Sequence, residues 1–275
     1  MKRIALTTAL LAAALLCGPA WAQKIRVAFA DVEVAPYQLG NGSEIANPPG
    51  TMIELLNQAA KELGIEIVYE RAPQLRSLKR LQLGEIDGAF MYSYTPERLA
   101  YGRYPMKDGK PDDTARLANQ SYVFYRLKGS PFNWDGRTVT GLGNGAVGFN
   151  STFSVGAVLA KQDIKAQDAK TTEQNFSKLR LGRIAAFAML EHAGDSYLAT
   201  HPMPNVEKLS IPFETKAYYL MLSNQLLERD PALAEKIWAK LAKLRPEVMP
   251  DEPPKPSKPI KPQGPARKKI RDKSQ

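Results

Sequence analysis

The segment Ser93-Tyr94-Thr95-Pro96-Glu97-Arg98 holds the residues best suited to gripping a small anion. Thr95 suits a helix N-cap and Pro96 the first helical position, which puts Arg98 in the first turn, just past a strand end. A guanidinium there can hold a carboxylate through two parallel hydrogen bonds, a geometry that lysine lacks. A surface arginine paired with Glu97 or another neighbour fits the same residues. Ser93 adds a hydroxyl from the strand end. Gln74 and Arg76 lie on the loop after the second predicted strand, within reach of the same place or simply in solvent. Ser151 and Thr152 open a predicted helix, where their hydroxyls and N–H groups form either an oxygen-binding nest or an ordinary cap. Groups for bond breaking are sparse. His192 and His201 are the only histidines, and no metal-ligand spacing, Gly-x-Ser-x-Gly or P-loop motif occurs, so neither a metal nor a cofactor is expected.

These residues sit among alternating strands and helices. Ile25, Val27 and Phe29 alternate with Arg26 and Ala28, the period of a strand. A turn-rich stretch with Pro36, Gly40, Asn41, Gly42, Pro48, Pro49 and Gly50 follows. Met52, Leu55, Leu56, Ala59, Ala60 and Leu63 then recur at helical spacing up to Gly64, a fitting C-cap. Ile65, Ile67 and Tyr69 predict a second strand, Leu75, Leu78 and Leu81 a short helix ended by Gly84, and residues 86–91 a third strand. The order βαβαβ is the unit of a doubly wound sheet. The second half repeats it, with an apolar strand at 122–125, a Gly-rich strand and turn around 139–148, and a helix over 151–160. Helical spacing over 175–181, a wholly apolar strand over 184–190 and a helix over 191–199 complete that half. A strand at 218–222 and a helix over 231–244 finish the pattern, and Leu233, Ile237, Trp238 and Leu241 form one stripe that assigns Trp238 to the core.

The ends differ in kind. Lys2 and Arg3 precede a run of about 13 apolar residues and then Ala20-Trp21-Ala22, the order of a cleavable signal peptide over residues 1–22. That run is short of the roughly 20 residues that span a bilayer. Cys17, the single cysteine, falls inside the predicted signal peptide and follows Leu16 rather than a small residue, so cleavage after Ala22 leaves a chain without thiols in the periplasm. The formal charge is +10, and part of the surplus sits in residues 246–275, where eight Lys and Arg and eight prolines stand against four acids. Such a composition cannot offset its ordering entropy by burial and predicts a disordered basic tail. It is either a plain solvated terminus or an electrostatic tether to an anionic membrane surface or the cell wall. No nucleic-acid partner is expected.

Several segments, in order, resemble one family. They are Ile25-Arg26-Val27 through Asp31 to Pro36-Tyr37, Gly50 to Leu55, and Gly64-Ile65-Glu66-Ile67. Leu81 to Ala89 with Gly84, Ile86 and Asp87, the Ser93-to-Arg98 segment, Trp134 to Val139, and Leu181-Gly182-Arg183-Ile184 continue the series. Across roughly residues 24–244 the chain is thus similar to the type 2 periplasmic solute-binding proteins of the polar amino acid class, family 3 of the ABC transporter binding proteins. The resemblance implies an α/β fold of two lobes, each a doubly wound sheet, joined by a hinge of two crossing segments near 117–122 and 212–217. Lobe 1 would comprise residues 23–119 and 216–245, and lobe 2 residues 120–215. It further implies a monomer that closes on a small-molecule ligand and serves an ABC permease or a receptor, with Arg98 as the ligand-carboxylate arginine and Tyr37 as a ligand-binding residue.

Two positions depart from that family's pattern. Val34 stands where an aromatic that stacks on the ligand is usual, and Leu190 where an aspartate pairs with the ligand's α-ammonium. Glu191 is one residue along and serves only if the strand end shifts, since adjacent strand side chains face opposite ways. A carboxylate-bearing ligand that need not carry an ammonium is the resulting expectation. Two rival readings use the same scaffold. One is a dehydratase-like enzyme acting on prephenate-like acids, and the other is an interaction protein that works through its basic tail.

Overall fold

This computed structural model describes residues 23–151 and 153–249. The predicted signal peptide, Thr152 and the predicted tail from residue 250 onward lie outside the described residues. Nine strands make one curled sheet: β1 (Gln23–Phe29), β2 (Ile65–Arg71), β3 (Gly88–Ser93), β4 (Ala118–Leu127), β5 (Val147–Asn150), β6 (Ala166–Ala169), β7 (Ala186–Leu190), β8 (Val206–Lys208) and β9 (Glu214–Leu222). Their order is β6-β5-β7-β4-β9-β3-β1-β2, with β8 flanking β4. The two halves repeat one plan. In each, three strands run parallel and an antiparallel strand closes them, β9 against β3 and β4 against β7. β4 and β9 pair with each other from Ala118↔Tyr218 to Tyr122↔Glu214, and through this ladder the sheet passes from one half to the other.

Among the described residues seven α-helices cover the sheet: α1 (Thr51–Leu63), α2 (Gln74–Gln82), α3 (Val155–Lys161), α4 (Thr172–Arg180), α5 (Glu191–Thr200), α6 (Asn224–Arg229) and α7 (Pro231–Val248). α1 buries Met52, Leu55, Leu56 and Ala59 at helical spacing, and burying one such large side chain contributes about 1.5–3 kcal/mol. Gly64, left-handed at φ 68°, ends it by donating to the carbonyls of Ala60 and Lys61. α7 buries the Leu233-Ile237-Trp238-Leu241 stripe, and Trp238 Nε1 donates to the Leu220 carbonyl at 2.9 Å. Among the described residues no helix is long and apolar enough to cross a membrane.

Several boundaries differ from the sequence pattern, and three of them have a clear physical reason. The helix expected over 151–160 begins at Val155, because Val155 and Leu159, four apart, are the residues that reach the core, while 150–153 close a turn through Phe153 N–H to the Asn150 carbonyl at 3.1 Å. α7 runs through Pro246 to Val248, past the expected tail boundary, since a proline near a helix end removes only a single hydrogen bond. β3 continues to Ser93 around a bulge. Met91 has φ 67°, and the pairing skips from Phe90↔Leu220 to Tyr92↔Tyr219. The bulge turns the pleat locally, so that Met91, Tyr92 and Ser93, neighbours in sequence, all border one cavity.

Candidate functional site

β3 delivers Ser93 to the seam between the halves, where it is buried. Thr95 takes the N-cap with an extended backbone, Pro96 opens a 3₁₀ turn (Pro96–Ala100), and Arg98 folds back onto the strand end. Its Nη1 donates to the Ser93 carbonyl at 2.6 Å and to Ser93 Oγ at 2.9 Å, and its guanidinium carbon lies 5.5 Å from the centre of the Tyr92 ring. Tyr104 OH donates to the same carbonyl at 2.8 Å. Arg98 is thus oriented by the backbone it caps.

On the other side of the seam, Ser154 precedes α3 and accepts a hydrogen bond from Ser93 Oγ at 3.1 Å. Tyr218 of β9 donates to the Tyr122 hydroxyl of β4 at 3.3 Å, with Ser154 close to the Tyr122 hydroxyl and Ser93 close to that of Tyr218. Four hydroxyls, two from each half, therefore form a ring with Arg98 at one corner. Burial raises both phenols above the ordinary tyrosine range, so they stay neutral and able to donate.

The ring borders a cavity of about 30 Å³, room for a water or two. Phe90, Met91, Phe153, Leu190 and Val34 supply apolar wall, and Gln38, Gln74 and Gln120 supply amides. Among the described residues that line it none is acidic, and Arg98 is the one with a permanent charge. The loop that brings Val34 and Gln38 here is pinned by Arg71, which donates to the carbonyls of Ala30 (3.3 Å), Leu39 (2.9 Å), Glu44 (3.0 Å) and Gly40 and stacks on Phe29 at 5.0 Å. Gly50 (φ 106°) closes that loop onto α1, where a Cβ would meet the Tyr37 carbonyl oxygen at 2.6 Å.

The residues singled out from sequence divide in two. Arg98, Ser93 and Gln74 meet at the cavity, as do Val34 and Leu190. Tyr37 is buried beside it, edge-on to His192 of the other half at 5.5 Å. Arg76 is exposed on α2 and stands off the cavity. Ser151 donates to Asp168 Oδ2 on the outer side of its half. Glu191 begins α5 and pairs with Lys208 at 2.7 Å, while the adjacent Asp195 takes the same ammonium and the Tyr125 hydroxyl. The strand end does not shift, and Leu190 is the residue that faces the cavity. Ser154, Tyr122, Tyr218, Gln38 and Gln120 were not anticipated. For Ser154 a signal existed in the Val155/Leu159 spacing, which fixes the helix start one residue after it.

No protein-family model matches the sequence, and neither does any curated protein. Solved structures do match. A histidine kinase sensor domain with similarity to periplasmic binding proteins aligns with a TM-score of 0.65 and 15% identity, over 82% of this chain and 92% of the other. The fold is that of the type 2 periplasmic binding proteins. The GluR0 ligand-binding core of Nostoc punctiforme, in complex with L-glutamate, shares this periplasmic-binding-protein fold at TM-score 0.61 and 16% identity, over 81% and 93%. A substrate-binding protein of an ABC uptake transporter from Streptococcus pneumoniae, with bound histidine, does so at 0.61 and 16%, over 82% and 87%. In a periplasmic-binding-protein fold the seam between the halves is the inter-lobe cleft, and the hydroxyl ring lies across it.

Proposed function

We propose that this chain captures a small carboxylate-bearing solute in the inter-lobe cleft, outside the cytoplasm, and presents it to a transport permease or a receptor. One observation carries the reading: Arg98, Ser93, Ser154, Tyr122 and Tyr218 converge at the seam as hydrogen-bond donors around a fixed guanidinium. That donor set matches a carboxylate, which accepts bidentate and charge-assisted bonds. Binding without turnover fits the same residues, because the described lining residues hold neither a histidine nor a carboxylate for proton transfer. The structural neighbours bear names of a sensor domain, a ligand-binding core and a substrate-binding protein of an uptake transporter, which supports an extracytoplasmic binding role, as does the signal-like start of the sequence.

The lobe boundaries that accompany this reading fall at 119/120 and 215/216, inside the β4–β9 ladder, leaving 23–119 with 216–245 as one lobe and 120–215 as the other. The test is calorimetry of the purified protein against a panel of small carboxylates, with Arg98→Lys alongside. Replacing a bidentate fork by a point charge should weaken binding by about 2 kcal/mol, some thirtyfold. A second reading draws on the cavity volume of about 30 Å³: lobes latched by their own hydroxyls, acting as an interaction module. Under that reading no carboxylate binds, and native mass spectrometry of unrefolded protein finds nothing carried over.

A further inference from the structure

The cavity has a second polar end that gripping a carboxylate does not use. Gln38 and Gln120, 0% and 3% exposed, both line it, and the side-chain Oε1 of each is buried and meets no hydrogen-bond donor. The loop fixes how Gln38 faces. Its Nε2 donates to the carbonyls of Val32 at 2.6 Å and Ala30 at 3.3 Å, and turning the amide over would set its oxygen against two carbonyl oxygens. Gln38 Oε1 is therefore an acceptor by construction. A buried acceptor left without a donor is costly, and in a binding cavity it specifies what the ligand must bring.

The donor it awaits is an uncharged one. None of the described lining residues is acidic, and Leu190 and Val34 put hydrocarbon on the wall. Arg98 and Lys161 set a positive field on the neighbouring Lys216, which Glu214, at 3.9 Å, opposes. An ammonium brought into that field would lack a counter-charge, whereas an O–H needs none. A hydroxyl also has lone pairs to satisfy. The Gln120 amide, whose own oxygen meets no donor, can turn to donate to them.

Resting on the carboxylate reading above, we propose that the ligand is a small hydroxy carboxylate, with its carboxylate at Arg98, Ser93 and Ser154 and its hydroxyl donating to Gln38 Oε1. The experiment is calorimetry on the signal-cleaved chain with carbon skeletons of about two to six carbons, each as 2-hydroxy acid, 2-amino acid and unsubstituted acid. On the best skeleton the hydroxy acid should bind about tenfold or more tighter than either analogue, the discrimination expected when an analogue leaves a buried acceptor unpaired. Gln38→Leu should bring the preference for the hydroxy acid over the unsubstituted acid down to about parity, the ratio being the readout because the substitution also frees the Val32 and Ala30 carbonyls. Gln120→Glu, by supplying a counter-charge, should move the preference toward the amino acid. The proposal is overturned if the unmutated protein binds the amino acid as tightly as the hydroxy acid, or is indifferent to the hydroxyl while Arg98→Lys still abolishes binding of the acid series. If none of the three binds on any skeleton, the carboxylate reading itself falls and takes this one with it. Should Gln38→Leu fail to fold, the comparison on the unmutated protein decides alone.

Discussion

Ser93 Oγ, in one half of the sheet, donates to Ser154 Oγ in the other across 3.1 Å, and Arg98 donates to that same Ser93 oxygen at 2.9 Å. The groups that would grip a carboxylate are therefore also the strut that holds the halves together. Under the proposed function a ligand would first part them, and its oxygens would then replace the hydroxyls as acceptors when the halves come back. Binding energy is spent against a self-made contact, so affinity and closure share one set of bonds.

Ser154→Ala removes that strut while sparing the fold, because the side chain lost is small and the backbone of α3 is untouched. The net worth of such a bond is about 1 kcal/mol, so the balance between open and closed forms should move about fivefold toward open. Small-angle scattering without added ligand should show a larger radius of gyration. An unchanged radius, together with unchanged amide protection in the β4–β9 ladder, would rule out the strut.

Leu190→Asp places a carboxylate at the end of β7, against the cavity, where Leu190 is buried at 5% exposure. The unpaired charge should lower stability of the empty protein, on the order of 3 kcal/mol, and should create a partner for an ammonium. Calorimetry should then register binding of common L-amino acids that the unmutated protein takes weakly. No gain for any of them would mean that the wall at Leu190 does not face the ligand.

The strand β1, the α1 stripe closed by Gly64 and the wholly apolar β7 were legible because each carries its own local pattern: alternation from Lys24 to Val27, helical spacing, and an unbroken apolar run. Ser93 and Arg98 were legible for a local reason: a strand end, a cap and a proline within six residues fix where they stand. What escaped depends on partners distant in sequence. Tyr122 and Tyr218 read as ordinary strand residues, and only the pairing of β4 with β9 puts their hydroxyls 3.3 Å apart. The bulge at Met91 is invisible in a run of apolar residues, yet it decides that three consecutive side chains reach one cavity. Gln38 lies in a Gly- and Pro-rich loop whose path is set by Arg71, which is 41, 32 and 27 residues along the chain from Ala30, Leu39 and Glu44 but adjacent in space to their carbonyls.

Arg71→Met tests that clamp. The substitution keeps much of the side-chain volume against Phe29 but leaves four carbonyls to find new donors or open to water. Buried acceptors stripped of a charged donor cost about 1–3 kcal/mol each, and partial rehydration of an edge loop brings the expected total to about 3 kcal/mol. At roughly 2–4 °C per kcal/mol for a chain of this size, Tm should fall by about 6–12 °C. Ligand affinity should fall as well, since Val34 and Gln38 ride on the same loop. A melting point within about 2 °C of the unmutated protein would show that the loop holds itself.

Lys216 offers a prediction in pH. It sits on β9 opposite Gln120, its side chain 16% exposed, and burial lowers its pKa below the ordinary lysine value, with Arg98 and Lys161 acting the same way and Glu214 against them. A base whose folded pKa lies below its unfolded one binds fewer protons folded than unfolded between the two values, so stability rises with pH across that window. Below the folded pKa the cost of burying the ammonium is present in full, and above the unfolded value, about 10.4, it is gone. Lys216→Met lacks the cost at every pH. The variant should therefore melt higher than the unmutated protein near neutrality, and the gap should close as pH rises toward the unfolded lysine value. Paired melting curves on the alkaline side give the answer, and a gap that stays constant or widens with pH would mean that Glu214 pairs Lys216 well enough in the folded state to offset its burial.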